Sequence, residues 1–380
     1  MNTGIRLLLL AAFGAGGVAP CHAQLTTELE GARPSNRPGT RDMLLWPFAQ
    51  DSIWNMPIGS DAVYVPAELT ADPGNGNIYA HMPGADQDHI ILTPTAPLAR
   101  VKHSNVGWRG GERCVTTNNQ TLMAVPIPDT YIVPNGRGNN AAAILTADGA
   151  KIMQIQPLTR CAAGSYATSL ATSRPVDIKG PGITGAHGGS GLSAIGGTLR
   201  LGELRPDQRG PRHALKIEVF AAQYLYQARH LGECSRWPAT NCDDYAAGEY
   251  GTHGRGNFNT AMKQGSLLAI PAMVDIASLG LETEPGRQLA WTLQNYGAYI
   301  VDDTGTPGYD ICIETGPAGS KEAEFLADWG FPFSQKAGQK TPWVRDFKRL
   351  VIALHVVDNN SPTRIGGGGA PRQPLAPPFR

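Results

Sequence analysis

Residues 185–204 read GAHGGSGLSAIGGTLRLGEL and form the most unusual stretch of the chain. Glycine has no Cβ, so it is favoured where the backbone turns sharply or another group comes close, and it weakens regular helices and strands. We therefore expect this tract to form the wall of a site. His187 within it is predicted to be an exposed general acid or base, with a histidine bonded to the backbone of a tight turn as the alternative.

The same tract argues against a serine hydrolase. Residues 188–192 read GGSGL, which places Leu192 where the G-x-S-x-G nucleophile elbow requires its last glycine. The elbow also follows a strand, and the sequence before the tract shows no clear strand.

Outward from the tract, Ala214–Phe220 (ALKIEVF) alternates between apolar and polar residues. Side chains at alternate positions of a strand lie on opposite faces, so this pattern predicts a strand. One face would carry Leu215, Ile217 and Val219, and the other Lys216, Glu218 and Phe220.

The rest of the chain favours a mainly β fold. Before residue 157 the apolar runs are short and separated by turn residues, and Asp148-Gly149 between two such runs predicts a hairpin. The clearest helix begins after Thr283 as N-cap and ends before Gly297. These features predict an antiparallel β-sandwich or jelly-roll-like body with a few helices.

The N-terminus predicts export. Arg6 and the apolar run from Leu7 to Leu10 precede small residues ending at Ala23, which is typical of a signal peptide over residues 1–23. Residues 24–42 are polar and are interpreted as a leader or linker. Residues 43–380 are then one secreted domain, periplasmic or extracellular, and no stretch approaches the length of a transmembrane helix.

An oxidising compartment makes the cysteines disulfide candidates. We predict the bridges Cys114–Cys161 and Cys234–Cys242, with Cys312 left free and buried. No pair has the C-x-x-C spacing of a zinc site, so no metal and no other cofactor are expected.

Charge excludes some partners. The chain has 32 Lys and Arg residues against 32 Asp and Glu residues, a formal net charge of zero. Nucleic-acid binding needs a basic field, so neither nucleic acid nor a membrane surface is an expected partner.

A second group of candidate site residues follows the tract: Arg200, Glu203, Arg212 and His213. A carboxylate, a histidine and guanidinium groups converging on one cleft suit glycosidic hydrolysis or β-elimination from a uronate. The alternative is an Arg–Glu pair at the surface and a satisfied histidine. Because the tract and this group are close in sequence, we predict that His187, Glu203 and His213 share one cleft.

Asp302-Asp303 is the third candidate, at the end of a short strand. Neighbouring residues on a strand face opposite sides, so only one carboxylate, here Asp302, is predicted to be catalytic. An aspartate that initiates a turn is the alternative.

Aromatic residues near glycine-bearing loops suit a sugar ligand, because flat rings pack against the apolar faces of pyranoses. We interpret Trp237, Tyr250 and Tyr299 as substrate-binding residues, together with Arg200 and Arg212. The alternative for each aromatic residue is core packing.

Several segments together resemble a known family. They are the tract at 185–204, Arg212–Leu215 (RHAL), Trp237–Ala239 (WPA), Tyr296–Asp303 (YGAYIVDD) and the tail Ile365–Phe379. They are similar to a family of largely uncharacterised secreted bacterial proteins, which implies a common secreted fold but no reaction and no catalytic residue. The YFKAG-type and Q-I-H segments of one alginate-lyase family are absent, which argues against that family.

These observations predict a secreted enzyme that cleaves glycosidic bonds of an extracellular polysaccharide. Glu203 or Asp302 would be the carboxylate and His187 or His213 the proton shuttle. A polysaccharide lyase is the close variant, with Arg200 or Arg212 offsetting the uronate charge. A non-catalytic carbohydrate-binding or cell-surface protein is the alternative from another class, and it would present a flat aromatic platform rather than a cleft with titratable groups.

Overall fold

The strand predicted near Ala214 lies at the centre of the fold. In the computed structural model, Leu215–Val219 pairs in parallel with Ala298–Asp303 and antiparallel with Gly308–Gly316. All five of its residues are buried, so both faces of the strand are covered. Its apolar side chains face the larger hydrophobic core, as the alternation predicts.

The structure describes residues 39–108 and 110–380; the predicted signal peptide and residues 24–38 of the leader lie outside this range. The strands are β1 (Tyr64–Pro66), β2 (His81–Ile91), β3 (Leu98–His103), β4 (Thr121–Pro126), β5 (Ala142–Leu145), β6 (Lys151–Gln156), β7 (Ala167–Ser169), β8 (Ala171–Thr172), β9 (Val176–Asp177), β10 (Thr184–His187), β11 (Leu215–Val219), β12 (Leu267–Ala269), β13 (Ala298–Asp303), β14 (Gly308–Gly316), β15 (Gly319–Ser320) and β16 (His355–Val357). The helices are α1 (Pro73–Gly76), α2 (Ala221–Tyr224), α3 (Ala246–Glu249), α4 (Glu284–Asn295), α5 (Lys321–Trp329) and α6 (Pro342–Ala353).

The described strands form two sheets. The large one has 12 strands, in the order β1-β16-β12-β13-β11-β14-β2-β5-β6-β8, with β15 beside β14 and β9 beside β6. The small one has the order β4-β3-β7.

The prediction of a mainly β fold with few helices is confirmed, but the sheets are mixed rather than purely antiparallel. Four pairs are parallel: β11 with β13, β14 with β2, β2 with β5, and β3 with β7. Two parallel strands are joined by a long connection rather than by a short turn. The local turn signals that favour an antiparallel body therefore do not indicate which strands pair in parallel. A sandwich or jelly roll is not confirmed.

Two long helices contribute to the same core as the apolar face of β11. Leu289 and Leu293 of α4 join Trp343 and Phe347 of α6 in the larger core. The Oγ1 atom of Thr283 accepts a hydrogen bond from the backbone N–H of Gly286 at 3.0 Å, which confirms the predicted N-cap. No helix among the described residues is both long and apolar enough to cross a bilayer.

The predicted hairpin is present. β5 and β6 pair antiparallel, and the turn between them contains Gly149 with a φ of 70°. This conformation is why the Asp-Gly pair is favoured there.

The cysteine predictions are confirmed. Cys114 pairs with Cys161 and Cys234 with Cys242, with Cα–Cα distances of 5.9 and 6.0 Å. Cys312 is free and buried.

The beginning and end of the described chain pack together. Arg41 is 3% exposed, its backbone N–H donates to Pro378 O at 2.9 Å, and its guanidinium also donates to backbone carbonyls including Pro47 O at 3.0 Å. The Arg41 guanidinium lies 3.9 Å from the ring centroid of Phe379. Residues of the segment assigned to the leader, such as Arg41, are therefore packed against the body of the domain.

Candidate functional site

Three adjacent strands carry ionisable side chains at every second position. Alternate residues of a strand share a face, so these side chains line the side of the sheet opposite the larger core. We call them the polar face: Asp86 and Asp88 of β2, Lys216 and Glu218 of β11, and Asp310, Cys312 and Glu314 of β14.

Strand register brings the carboxylates of the polar face together. Glu218 lies opposite Asp302 on β13 and opposite Asp310 on β14, and Cys312 lies opposite Asp86 on β2. Neighbouring strands are about 4.8 Å apart. Several carboxyl groups from different strands therefore share a small region that is largely closed to water.

The glycine-rich tract folds across the polar face. Leu199 within it exchanges backbone hydrogen bonds with β14, donating to Cys312 O and accepting from Glu314 N, each at 2.9 Å. Gly188 has a φ of 43°, and a Cβ built on it would overlap the Asp302 carboxylate. A Cβ on Gly189 would lie 2.7 Å from Cγ of Asp243. The glycines let the backbone approach these carboxylates closely.

His187 is fully buried, so its predicted exposure is wrong. It ends β10 with its ring turned toward the sheet, and its Nε2 atom lies 3.3 Å from Asp88 Oδ1, 3.5 Å from Asp86 Oδ2 and 3.9 Å from Glu218 Oε1. The Sγ atom of Cys312 is also 3.3 Å from Nε2. A histidine flanked by glycines is expected to be accessible because glycine has no side chain to cover it. Here the tract itself covers the ring.

Lys216 supplies the main positive charge of the polar face. Its Nζ atom lies 2.9 Å from Asp88 Oδ2 and donates to Ser193 O at 3.0 Å. Asp88 Oδ2 also accepts from the Thr198 hydroxyl at 2.7 Å. Burial raises the pKa of Asp88, but the nearby Lys216 and His187 outweigh it, so the net pKa is lowered.

The pKa of Glu218 shifts in the opposite direction. Burial, reinforced by Asp86, Asp302 and Asp310, raises the pKa of Glu218 well above its usual range. Burial and Lys216 lower the pKa of His187, but Asp88 and Asp86 outweigh both, so its net pKa is raised. The region combines excess carboxyl groups with little solvent.

A further buried carboxyl group lies where β13 ends. Asp302 is 5% exposed, and its Oδ1 atom accepts from Gly189 N at 3.2 Å. Its Oδ2 atom accepts from Asn139 Nδ2 at 3.2 Å. Burial, followed by the charge of Asp243, raises the pKa of Asp302 well above its usual range.

Asp243 lies beside the same pair of glycines and is half-buried. It accepts a hydrogen bond from the Tyr250 hydroxyl, which in turn accepts from Gln264 Nε2 at 3.0 Å. Burial raises the pKa of Asp243, although the Tyr250 hydrogen bond opposes this shift. We call Asp302 and Asp243 the outer carboxylates. Tyr245, 39% exposed, lies at the rim beside them.

Glu203 and His213 form a separate pair. His213 Nε2 lies 3.0 Å from Glu203 Oε2, and its Nδ1 lies 2.9 Å from Ala214 O. Both ring nitrogens face acceptors, which favours the imidazolium form. Among the described residues, no hydrogen bond or ion pair links His187 to Glu203 or His213, so the structure does not support one cleft for all three.

The predicted arginines occupy different settings. Arg200 is 6% exposed, and its Nε atom lies 2.7 Å from Glu314 Oε2, so its charge is already compensated. Arg212 is half-buried. Neither observation indicates a uronate-binding pair.

Most of the predicted sugar-binding aromatics are core residues. Tyr299 is fully buried and packs edge-on against Trp54 at 5.5 Å, Tyr250 is 1% exposed, and Trp237 is half-buried against the second core. Of the three, only Tyr250 contacts an outer carboxylate. These residues do not form a flat platform.

Sequence reasoning missed most of the polar face. Asp86, Asp88, Lys216, Glu218 and Cys312 were not among the predicted site residues. The signal lies in the segments ADQDHI at 85–90 and YDICIET at 309–315, where acidic residues or a cysteine recur at every second position.

A metal could be held within the polar face. One ligand atom from each of Asp86, His187, Glu218 and Cys312 lies within 4.8 Å of the others. The sequence predicts no metal, because no cysteine pair has the C-x-x-C spacing of a zinc site. Comparisons with protein families, curated proteins and solved structures find no match to this chain.

Proposed function

We propose that this chain is a secreted enzyme that hydrolyses a glycosidic bond of an extracellular polysaccharide, with the outer carboxylates as its acid and base. The observation that carries the proposal is the placement of Asp302 and Asp243 beside the adjacent glycines Gly188 and Gly189. Glycosidic hydrolysis commonly uses two carboxyl groups, one protonated and one ionised.

The two carboxyl groups have environments that suit different roles. Asp302 is the more buried, and the charge of Asp243 further disfavours its ionisation, so Asp302 retains its proton and acts as the general acid. Burial raises the pKa of the half-buried Asp243, but less extensive burial and the hydrogen bond from the Tyr250 hydroxyl favour its ionised form relative to Asp302. Asp243 therefore acts as the base or nucleophile.

Access supports this location. Gly188, Gly189 and Asn139 are half-buried around the outer carboxylates, and Tyr245 is exposed at the rim. The Glu203–His213 pair, by contrast, is already engaged by other groups. Glu203 Oε2 accepts a hydrogen bond from Arg200 N at 2.8 Å, and His213 Nδ1 faces Ala214 O.

Two observations favour hydrolysis over the alternatives. Arg200 is neutralised by Glu314, so it is poorly placed to offset the charge of a uronate in a lyase. Tyr250 and Tyr299, two of the predicted sugar-binding aromatics, are buried, so they do not present the aromatic platform that a binding module uses. The two disulfides and the predicted leader support secretion, as does the resemblance to secreted bacterial proteins.

The test is incubation of the purified protein with a panel of neutral and uronate-containing glycans, followed by product analysis. We expect new reducing ends without unsaturated sugars. Unsaturated products that absorb in the ultraviolet would establish elimination instead. Binding to a glycan without any cleavage would identify a carbohydrate-binding protein and contradict the proposal.

A further inference from the structure

We propose that Asp86, His187, Glu218 and Cys312 form a binding site for a divalent transition metal of the zinc type. The site lies within the polar face and is separate from the outer carboxylates. It goes beyond the proposed hydrolysis, and the experiments below need no glycan.

The spacing of the four side chains fits a tetrahedral ion. From His187 Nε2, the distances are 3.3 Å to Cys312 Sγ, 3.5 Å to Asp86 Oδ2 and 3.9 Å to Glu218 Oε1, and Cys312 Sγ is 3.9 Å from Glu218 Oε1. Zinc bonds of about 2.0–2.3 Å at tetrahedral angles place ligand atoms about 3.3–3.8 Å apart. The four measured edges lie near this range, and all six edges lie within 4.8 Å, so a contraction of the cluster around an ion would bring the four atoms to tetrahedral distances.

Unpaired buried oxygens point to the same place. Asp86 Oδ2 and Asp88 Oδ1 have no hydrogen-bond partner among the described residues. The Asp88 side chain is 0% exposed, and its Oδ1 atom approaches His187 Nε2 at 3.3 Å as an ion-pair contact without hydrogen-bond geometry. Buried polar atoms are nearly always satisfied, so oxygens left open around one histidine indicate a ligand.

The charges of the polar face also call for a cation. Lys216 is already paired with Asp88 at 2.9 Å. Asp86 and Glu218 instead both approach His187 Nε2, at 3.5 and 3.9 Å. Buried carboxylates need a counter-charge or a metal, and a divalent ion would offset two of the three negative charges of deprotonated Asp86, Glu218 and Cys312.

The ligand types select the class of metal. Calcium and magnesium prefer oxygen ligands alone, whereas a set of imidazole, thiolate and carboxylates suits zinc and related transition metals. Four protein ligands close a tetrahedral zinc site, as in structural rather than catalytic centres. Three of these ligands come from β2, β11 and β14, and His187 comes from the tract that covers them, so the ion would fasten the tract to the sheet.

The first experiment measures metal content. The full chain is loaded with Zn²⁺, dialysed against metal-free buffer and analysed by mass spectrometry for zinc, and we expect about one bound ion per chain, released by a strong chelator. His187→Gln and Asp86→Asn should each lose the ion. His213→Gln is the matched control, since it removes a buried histidine that also contacts a carboxylate, and it should retain the ion.

The second experiment identifies the thiolate ligand. Co²⁺ in place of Zn²⁺ should give a thiolate-to-cobalt charge-transfer band in the wild-type chain, and Cys312→Ala should abolish it. If Cys312→Ala does not fold, Asp86→Asn provides the test, because its cobalt affinity should fall at least about tenfold, the scale of losing a ligand contact. Absence of retained zinc, absence of the cobalt band in the wild-type chain, a band unchanged in a folded Cys312→Ala variant, or a cobalt affinity unchanged in Asp86→Asn would overturn the proposal.

Discussion

The ion pair between Lys216 and Asp88 is wholly removed from solvent, with Nζ 2.9 Å from Oδ2 and both side chains 0% exposed. Lys216→Met keeps the apolar length of the side chain but removes its charge. Removing one partner of a buried ion pair costs about 3–5 kcal/mol. For the unit of residues 39–380, unfolding entropy at about 2.1 cal/mol/K per residue amounts to about 0.7 kcal/mol per kelvin. We therefore expect Lys216→Met to lower Tm by about 4–7 °C.

The control is a surface pair of the same residue types at nearly the same distance. Lys348 Nζ lies 2.8 Å from Asp72 Oδ1, with side chains 24% and 62% exposed. Exposed pairs contribute about 0–1 kcal/mol, so Lys348→Met should change Tm by at most about 1–2 °C in the same calorimetric scan. Equal shifts for the two variants, or a loss below about 2 °C for Lys216→Met, would refute the reasoning that burial sets the cost.

Two further predictions concern the glycine-rich tract and the separate histidine pair. Gly188→Ala should destabilise the protein by at least about 2 kcal/mol more than Gly149→Ala in urea unfolding, because overlap with the Asp302 carboxylate adds to the strain of a positive φ, whereas a Cβ at Gly149 meets nothing within 4 Å. Burial alone would lower the pKa of His213, but the Glu203 carboxylate outweighs it and raises the pKa. The stabilisation is therefore fully present below pH about 6.5 and lost as pH rises through the raised pKa, so the free energy of unfolding should fall more steeply above that pH in the wild type than in His213→Gln. Parallel pH dependences for the two proteins would contradict this assignment.

Local sequence rules predicted the parts of the fold that local interactions determine. The strand at Leu215–Val219, the helix capped by Thr283 and the turn at Gly149 each follow from a pattern within a few residues. Parallel pairing has no such signal. Asp86 and Cys312 lie far apart in the chain, and only the register of β2 with β14 makes them neighbours.

The candidate site was harder to predict for a related reason. Asp302 was predicted as a catalytic residue, and the structure places it at the tract through Gly189. His187 was expected to be exposed, because glycine density shows that something comes close to the backbone but not from which side. The alternation of Lys216 and Glu218 was recognised as a strand face, but a sequence does not show that this face is buried.

The most direct measurement of the central claim is the turnover of Asp302→Asn on the glycan that the wild type cleaves. Asparagine resembles the protonated acid in shape, so Tm should stay nearly unchanged while turnover falls about 10²-fold or more, the scale of losing an acid–base group. Asp303→Asn is the neighbouring control, because the Asp303 carboxylate accepts from Ala221 N and Gly305 N in a turn at 2.9 and 3.0 Å, and its turnover should change little. Wild-type turnover in a folded Asp302→Asn variant would contradict the account.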